Sequence, residues 1–201
     1  FNMLDNMDAA AGGVAVICSI ALVFYVVLLG VTSEGPQLYV AGLLLVFIGA
    51  LLGFLIHNKP PAKIFMGDAG SYFVGFCIAV ATILTTYTDG ENPVAHAVIA
   101  PLIIMAVPIY DLLTVVVIRL SDGRSPFQPD KSHFSHRLVE LGLSKTRAVL
   151  TMFLVTATTG ISALLLPQVN LSGAILIVVM TVCMLTLVAI LENTARNKIN
   201  S

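Results

Sequence analysis

Charge is scarce in this sequence. Asp, Glu, Lys and Arg together supply 10% of its 201 residues, whereas soluble domains carry about a quarter. That shortage excludes a solvated globular domain. Neither sign prevails, because ten basic residues face eleven acidic ones for a formal charge of −1, so no overall positive field points to nucleic acid. Cysteine is sparse as well. Cys18, Cys77 and Cys183 each sit within an apolar run, at spacings that match neither a disulfide framework nor a metal site, and they read as packing residues. There is no internal repeat, no low-complexity tract and no segment with the composition of a soluble domain. A basic signal-peptide start is also lacking: Phe1 leads into polar and acidic residues, from which we expect further chain upstream.

What the sequence has in abundance is apolar length. Hydrophobic side chains make up 58% of it, and the mean hydropathy is +0.98. A helix needs roughly 20 mostly apolar residues to cross the hydrocarbon core of a bilayer. Six stretches meet that requirement, at 10–31, 38–56, 69–87, 94–120, 146–166 and 171–191. The third is the weakest, since Thr82, Thr85, Thr86 and Thr88 crowd its end. The expected fold is all-α: a polytopic transmembrane helix bundle with six spans, forming one integral-membrane region over residues 1–201.

The basic residues choose sides. Lys59 and Lys63 follow the second span, six more lie between Arg119 and Arg147, and Arg196 and Lys198 follow the sixth. The connections at 33–37, 88–93 and 167–170 hold no Lys or Arg. Alternation of this kind places the basic connections, and residues 1–8 with them, on the cytoplasmic face.

Three polar clusters fall on that face. In the first, Asn2, Asp5 and Asp8 follow one another at steps of three, which on a helix sets them along one side. Their oxygens suit a hard cation or the polar groups of a nucleotide; a solvated acidic helix start would look the same. The second runs from Asn58 to Ser71 and enters the third span. Glycines near Asp68 permit close backbone approach, and a helix N-terminus offers free amides to phosphate oxygens. Asp68 facing a diphosphate needs a divalent cation between them, and Mg²⁺ binds through few carboxylates plus substrate phosphates. The simpler reading is Asp68 as the N-cap of the span.

The third cluster, between Arg119 and Arg147, holds prolines and then His133, His136 and Arg137. These lie on an expected short helix that ends at Gly142, with Ser144 capping the next span. Two His at i, i+3 lack a third soft ligand for zinc, so anion binding fits better, with a basic loop kept for topology as the alternative. Asp111 lies within the fourth span, where an ionisable group calls for a partner or a function. It is too far along the helix from Arg119 to pair with it, and no partner is legible. His57 and His96 read as interfacial residues.

Taken together, these strings resemble the polyprenyl-phosphate N-acetylhexosamine-1-phosphate transferase family, which also includes the phospho-N-acetylmuramoyl-pentapeptide transferases. The resemblance covers most of residues 1–149 and rests on Phe1-Asn2-Met3-Leu4-Asp5 with Asp8, on Asn58 to Ser71, and on Pro108 to Asp111 followed by Ser125 to His136. The last string resembles the branch that starts O-antigen, common-antigen or teichoic-acid linkage units. Asn6 and Ala9 stand where the family usually has glycines, and Ser135 stands where it has a histidine. An aspartate pair of an earlier family segment has no counterpart here.

By position, the resemblance implies that Asn2 and Asp68 hold Mg²⁺, which Mn²⁺ could replace, and that Asp5 lies near the reacting phosphates. It implies that Asn58, Phe65 and Asp8 contact the uracil, while His133, His136 and Arg137 address the diphosphate or sugar. Asp5, Asp68, His133 and His136 are then the catalytic candidates. The implied activity is transfer of a sugar-1-phosphate, such as N-acetylhexosamine-1-phosphate, from a UDP-sugar to undecaprenyl phosphate at the cytoplasmic face of the inner membrane. The implied partners are those two substrates and the lipid bilayer, with no nucleic acid, and a homodimer is allowed. The competing expectation is a multi-spanning transporter or channel, which normally gathers its polar groups near the bilayer midplane.

Overall fold

A computed structural model describes residues 1–28, 36–85, 95–125 and 133–199. The expected turns at 33–35 and 88–93, and the proline-rich stretch 126–132, lie outside the described residues. Eight α-helices are found among the described residues and no strand: α1 Ala10–Leu28, α2 Pro36–Asn58, α3 Gly67–Leu84, α4 Ala100–Ile104, α5 Ala106–Ser121, α6 Phe134–Glu140, α7 Lys145–Leu164 and α8 Leu171–Ile199. Short 3₁₀ turns lie at Asn2–Leu4, Ala95–Ile99 and Leu166–Gln168. The all-α bundle expected from hydropathy is the fold observed.

Helix α1 is the axis of the bundle. It is apolar all round and packs against α2, α3, α4 and α7, so Val14, Cys18, Leu22 and Tyr25 are all fully buried. Small residues let its neighbours come close. A Cβ on Gly13 would stand 2.1 Å from the Phe153 ring of α7, and one on Gly160 of α7 would stand 3.1 Å from Ala21. By contrast, α2, α3 and α8 turn large apolar side chains outward, among them Val46, Phe76, Ile83 and Met180. Such surface has no place in water and suits lipid. Among the described residues, five helices are long and apolar enough to cross a membrane.

The fourth expected span, at 94–120, is not one continuous helix. It is broken: the Ala95–Ile99 turn and α4 meet α5 at a 68° bend. Pro108 explains the break, because its ring nitrogen cannot donate to the carbonyl of Ile104 four residues earlier and its ring crowds that carbonyl. The Ile104 carbonyl accepts the Cys18 thiol instead, at 3.4 Å. With the bend, α5 packs against α7 and against the Asn2–Leu4 turn.

The two ends of the bundle differ in chemistry. At one end the Tyr25 hydroxyl donates to the Ala97 carbonyl at 3.1 Å, and His96 Nε2 lies 3.1 Å from the Leu166 carbonyl and 2.8 Å from that of Val169. His96 therefore pins the two 3₁₀ turns of that end together. The other end carries the polar segments.

Candidate active site

The first polar segment is not the helix that its three-residue spacing suggested. Asn2–Leu4 is a single 3₁₀ turn, the chain turns through residues 5–9, and α1 begins only at Ala10. Asn6 Nδ2 donates to the Met3 carbonyl at 2.7 Å, and Ala9 takes a left-handed φ of 65°; both stop the turn from propagating. Asn2, Asp5 and Asp8 consequently address different neighbours.

Asn2 reaches the start of α3, where its Nδ2 donates to Asp68 Oδ1 at 3.1 Å. Asp68 is not the N-cap. Met66 occupies that position and makes no side-chain cap, while Asp68 lies exposed in the first turn. Asp5 lies near the Gly67 backbone amide, and its carboxyl is held above the usual carboxylate range. Burial is the main cause and the nearby Asp68 charge acts in the same direction, while the Gly67 amide opposes both. Asp8 turns to the loop after α2, where its Oδ2 accepts the Ala62 amide at 3.0 Å.

Asn58 is buried at the end of α2 and committed at both ends of its amide. Its Oδ1 accepts the Ala9 amide at 2.9 Å and its Nδ2 donates to the Ile64 carbonyl at 2.8 Å. Asn58 thus ties α1 to the loop that carries Phe65, whose ring is 76% exposed.

The third segment closes over the first two. Helix α6 ends before Gly142, which has a φ of 95°, and Ser144 Oγ accepts the Arg147 amide at the start of α7, both as expected. Ser135 Oγ donates to Asn6 Oδ1 across 129 residues of sequence. His136, one residue on, joins Asn6, Met7, Asp8, Pro60, Lys145 and Val149 around a cleft of about 130 Å³. His133 and Asp111 meet at 3.2 Å through Nδ1 and Oδ2.

Arg137 points elsewhere. Its Nε donates to Glu192 Oε2 of α8 at 3.0 Å and its Nη2 to Thr114 Oγ1 at 2.9 Å, with the guanidinium 5.8 Å from the Tyr110 ring centre. The Tyr110 hydroxyl donates to the same Glu192 oxygen at 2.8 Å. These four side chains line a second cavity of about 350 Å³ between α5, α6 and α8.

The structure therefore brings together Asn2, Asp5 and Asp68, and separately Asp8 and His136, with Asn6 and Ser135 bridging the first and third segments. It sets Arg137 apart from both. Sequence reasoning missed Lys145 at the cleft, Glu192 as the partner of Arg137, and the Asn6 to Ser135 contact. Lys145 and Glu192 lie outside every motif, and contacts at such separations leave no local periodicity to read.

No group of three His, Cys, Asp or Glu is arranged to hold a metal among the described residues. Asp5, Asp68 and Asn2 nevertheless fit Mg²⁺. They are hard oxygen donors, two of them carboxylates close enough for one charge to oppose ionisation of the other, and Mg²⁺ takes one or two carboxylates and completes its shell with water and phosphate.

A bundle of membrane helices with carboxylate, amide and imidazole groups at one end defines an integral membrane protein with a polar site at its surface. Residues 1–86 match the family described as glycosyl transferase family 4. A probable undecaprenyl-phosphate N-acetylglucosaminyl 1-phosphate transferase of Bacillus subtilis is 33% identical over 190 residues, covering 94% of this chain and 50% of that protein. The decaprenyl-phosphate N-acetylglucosaminephosphotransferase of Mycobacterium tuberculosis H37Rv is 38% identical over 163 residues, 76% of this chain and 40% of its own. The undecaprenyl-phosphate alpha-N-acetylglucosaminyl 1-phosphate transferase of Escherichia coli K12 is 33% identical over 158 residues, 78% of this chain and 41% of its own. The chain spans half the length, or less, of these curated relatives. No solved structure matches it. The match over residues 1–86 and these relatives are in keeping with the resemblance that the motifs carry.

Proposed function

We propose that the intact protein transfers N-acetylglucosamine-1-phosphate from UDP-N-acetylglucosamine to a polyprenyl phosphate and releases UMP, in surface-polysaccharide synthesis at the cytoplasmic face of the inner membrane. The observation that carries this reading is the convergence of three separate polar segments at one end of an apolar bundle, through Asn2 on Asp68, Asp8 on Ala62 and Ser135 on Asn6. A lipid headgroup and a water-soluble nucleotide sugar meet at such a place. The relatives are named for the same transferred group and acceptor class. A transporter finds no support, because the convergence lies at the end of the bundle.

In the reaction, an oxygen of the acceptor phosphate attacks the β-phosphorus of the UDP-sugar. A new P–O–P linkage to the lipid forms as the bond to the α-phosphate oxygen breaks, and UMP departs with that oxygen. The acceptor is a phosphate monoester with a second pKa near ~6 and is largely dianionic at neutral pH, so it needs little activation. The difficulty is to hold two anions in line. Asp68 and Asn2 would hold Mg²⁺, which would supply neutralising charge for the phosphates. Asp5 orients the acceptor oxygen or takes its last proton, a task suited to a carboxyl raised above its ordinary range. His136 and Lys145, which border the cleft, would serve as cationic or hydrogen-bonding contacts for the sugar phosphate, and Asp8 and the exposed Phe65 would contact the uracil.

The test uses the purified intact protein in detergent with Mg²⁺ and a panel of UDP-sugars, each with and without undecaprenyl phosphate. UMP release only with the lipid, fastest for UDP-N-acetylglucosamine, supports the reading. Release that ignores the lipid removes it.

A further inference from the structure

Asp111 is fully buried at 0% exposure, within the apolar helix α5. A carboxylate placed there costs several kcal/mol unless it is paired and hydrogen-bonded, and both of its oxygens are engaged by one short stretch of chain. Oδ1 accepts the Phe134 amide at 2.6 Å, and Oδ2 lies 3.2 Å from His133 Nδ1. These are the first residue of α6 and the residue that caps it. One turn further along, His136 borders the cleft.

An ionised carboxylate can only accept. His133 Nδ1 must therefore carry the proton of their shared hydrogen bond, which leaves Nε2 as the nitrogen available for chemistry. Nε2 makes no hydrogen bond among the described residues, and the His133 side chain is 10% exposed. We propose that Asp111 is a positioning residue that fixes the tautomer and orientation of His133, so that its Nε2 faces the reacting phosphates, and that it sets the start of α6 by holding the Phe134 amide. The inference rests on the transfer reaction proposed above for its kinetic consequence, and on geometry alone for the tautomer.

Asp111→Asn separates the two duties. Asn keeps an oxygen for the Phe134 amide, but its NH₂ group donates to His133 Nδ1, which forces the ring proton onto Nε2. A mere cap for α6 would survive this change. The expected result is a folded protein whose kcat falls about a hundredfold, with KM for UDP-N-acetylglucosamine within about twofold of the wild type. In a His133→Ala background the same substitution adds no further loss. Retention of wild-type kcat by Asp111→Asn, or an equal loss with and without His133, would overturn the proposal.

A second measurement needs neither activity nor the Asp111 variant. Nitrogen-15 NMR of the intact protein labelled at histidine, with the His133 signals assigned by their loss in His133→Asn, reads the tautomer directly. Protonated Nδ1 with bare or protonated Nε2 supports the assignment; a bare Nδ1 overturns it. An inactive wild type with the expected His133 signals would reject the transfer reaction and leave Asp111 as the residue that orients His133.

Discussion

Ser135 and Asn6, separated by 129 residues of sequence, share a hydrogen bond in which the Ser135 hydroxyl donates to Asn6 Oδ1. Both positions depart from the motif pattern that the chain otherwise resembles, and the two departures meet each other. Asn6 also anchors the Met3 carbonyl, so the contact connects the shape of the first segment to the start of α6. We expect Asn6→Ala and Ser135→Ala to be coupled, with the pair of changes costing about 1 kcal/mol less than the sum of the single ones. Thermal unfolding of the four proteins in detergent measures the cycle. Strict additivity would mean that the two side chains act apart.

Glu192 offers a larger effect. Arg137 and Glu192 are both more than nine-tenths buried, and removing one member of a buried pair strands the other's charge. Glu192→Ala should destabilise the protein by about 3–5 kcal/mol, seen as early loss of the folded fraction on heating. Adding Arg137→Met should recover most of that loss, because no charge is then left unpaired. A neutral Glu192→Ala would show that α8 does not hold α6 through this contact.

Asp68→Asn retains an oxygen for the Asn2 amide and removes the charge. Turnover of the intact protein should fall by orders of magnitude at unchanged thermal stability, with a weaker response to added Mg²⁺, because the loss falls on transition-state charge and not on packing. Turnover near the wild type with the same Mg²⁺ optimum would leave Asp68 with only its hydrogen bond to Asn2.

The orientation of the bundle is open to chemical labelling. With the native cysteines replaced, a single Cys at Gln168 should react with an impermeant thiol reagent in intact cells, and one at Lys59 only after lysis, since the basic residues mark the cytoplasmic side. The reverse pattern would invert the topology.

The fold was legible wherever one physical rule dominates. Apolar length located the helices, and the distribution of Lys and Arg separated the two ends. The break in the fourth expected span was legible only in part: Pro108 was visible, but whether a proline bends or breaks a helix depends on what receives the freed carbonyl, here the Cys18 thiol from α1. The site was legible as a set of segments and not as geometry. Asn2, Asp5 and Asp8 have helical spacing, yet the left-handed Ala9 and the Asn6 side chain divert that stretch before α1 begins. Asn58 shows the same limit from the other side, because a polar residue in a motif looks alike in sequence whether it faces a ligand or holds two backbone groups. The partner of Asp111 lies 22 residues away, a separation that no helical or strand period encodes.

The central claim is that a phosphorus atom, and not only a sugar, moves to the lipid. UDP-N-acetylglucosamine labelled with ³²P at the β-phosphate, incubated with the intact protein, Mg²⁺ and undecaprenyl phosphate, follows that atom. The label is expected to pass into the lipid fraction in step with unlabelled UMP. Label that stays in the aqueous phase as UDP, while the sugar alone enters the lipid, would contradict it.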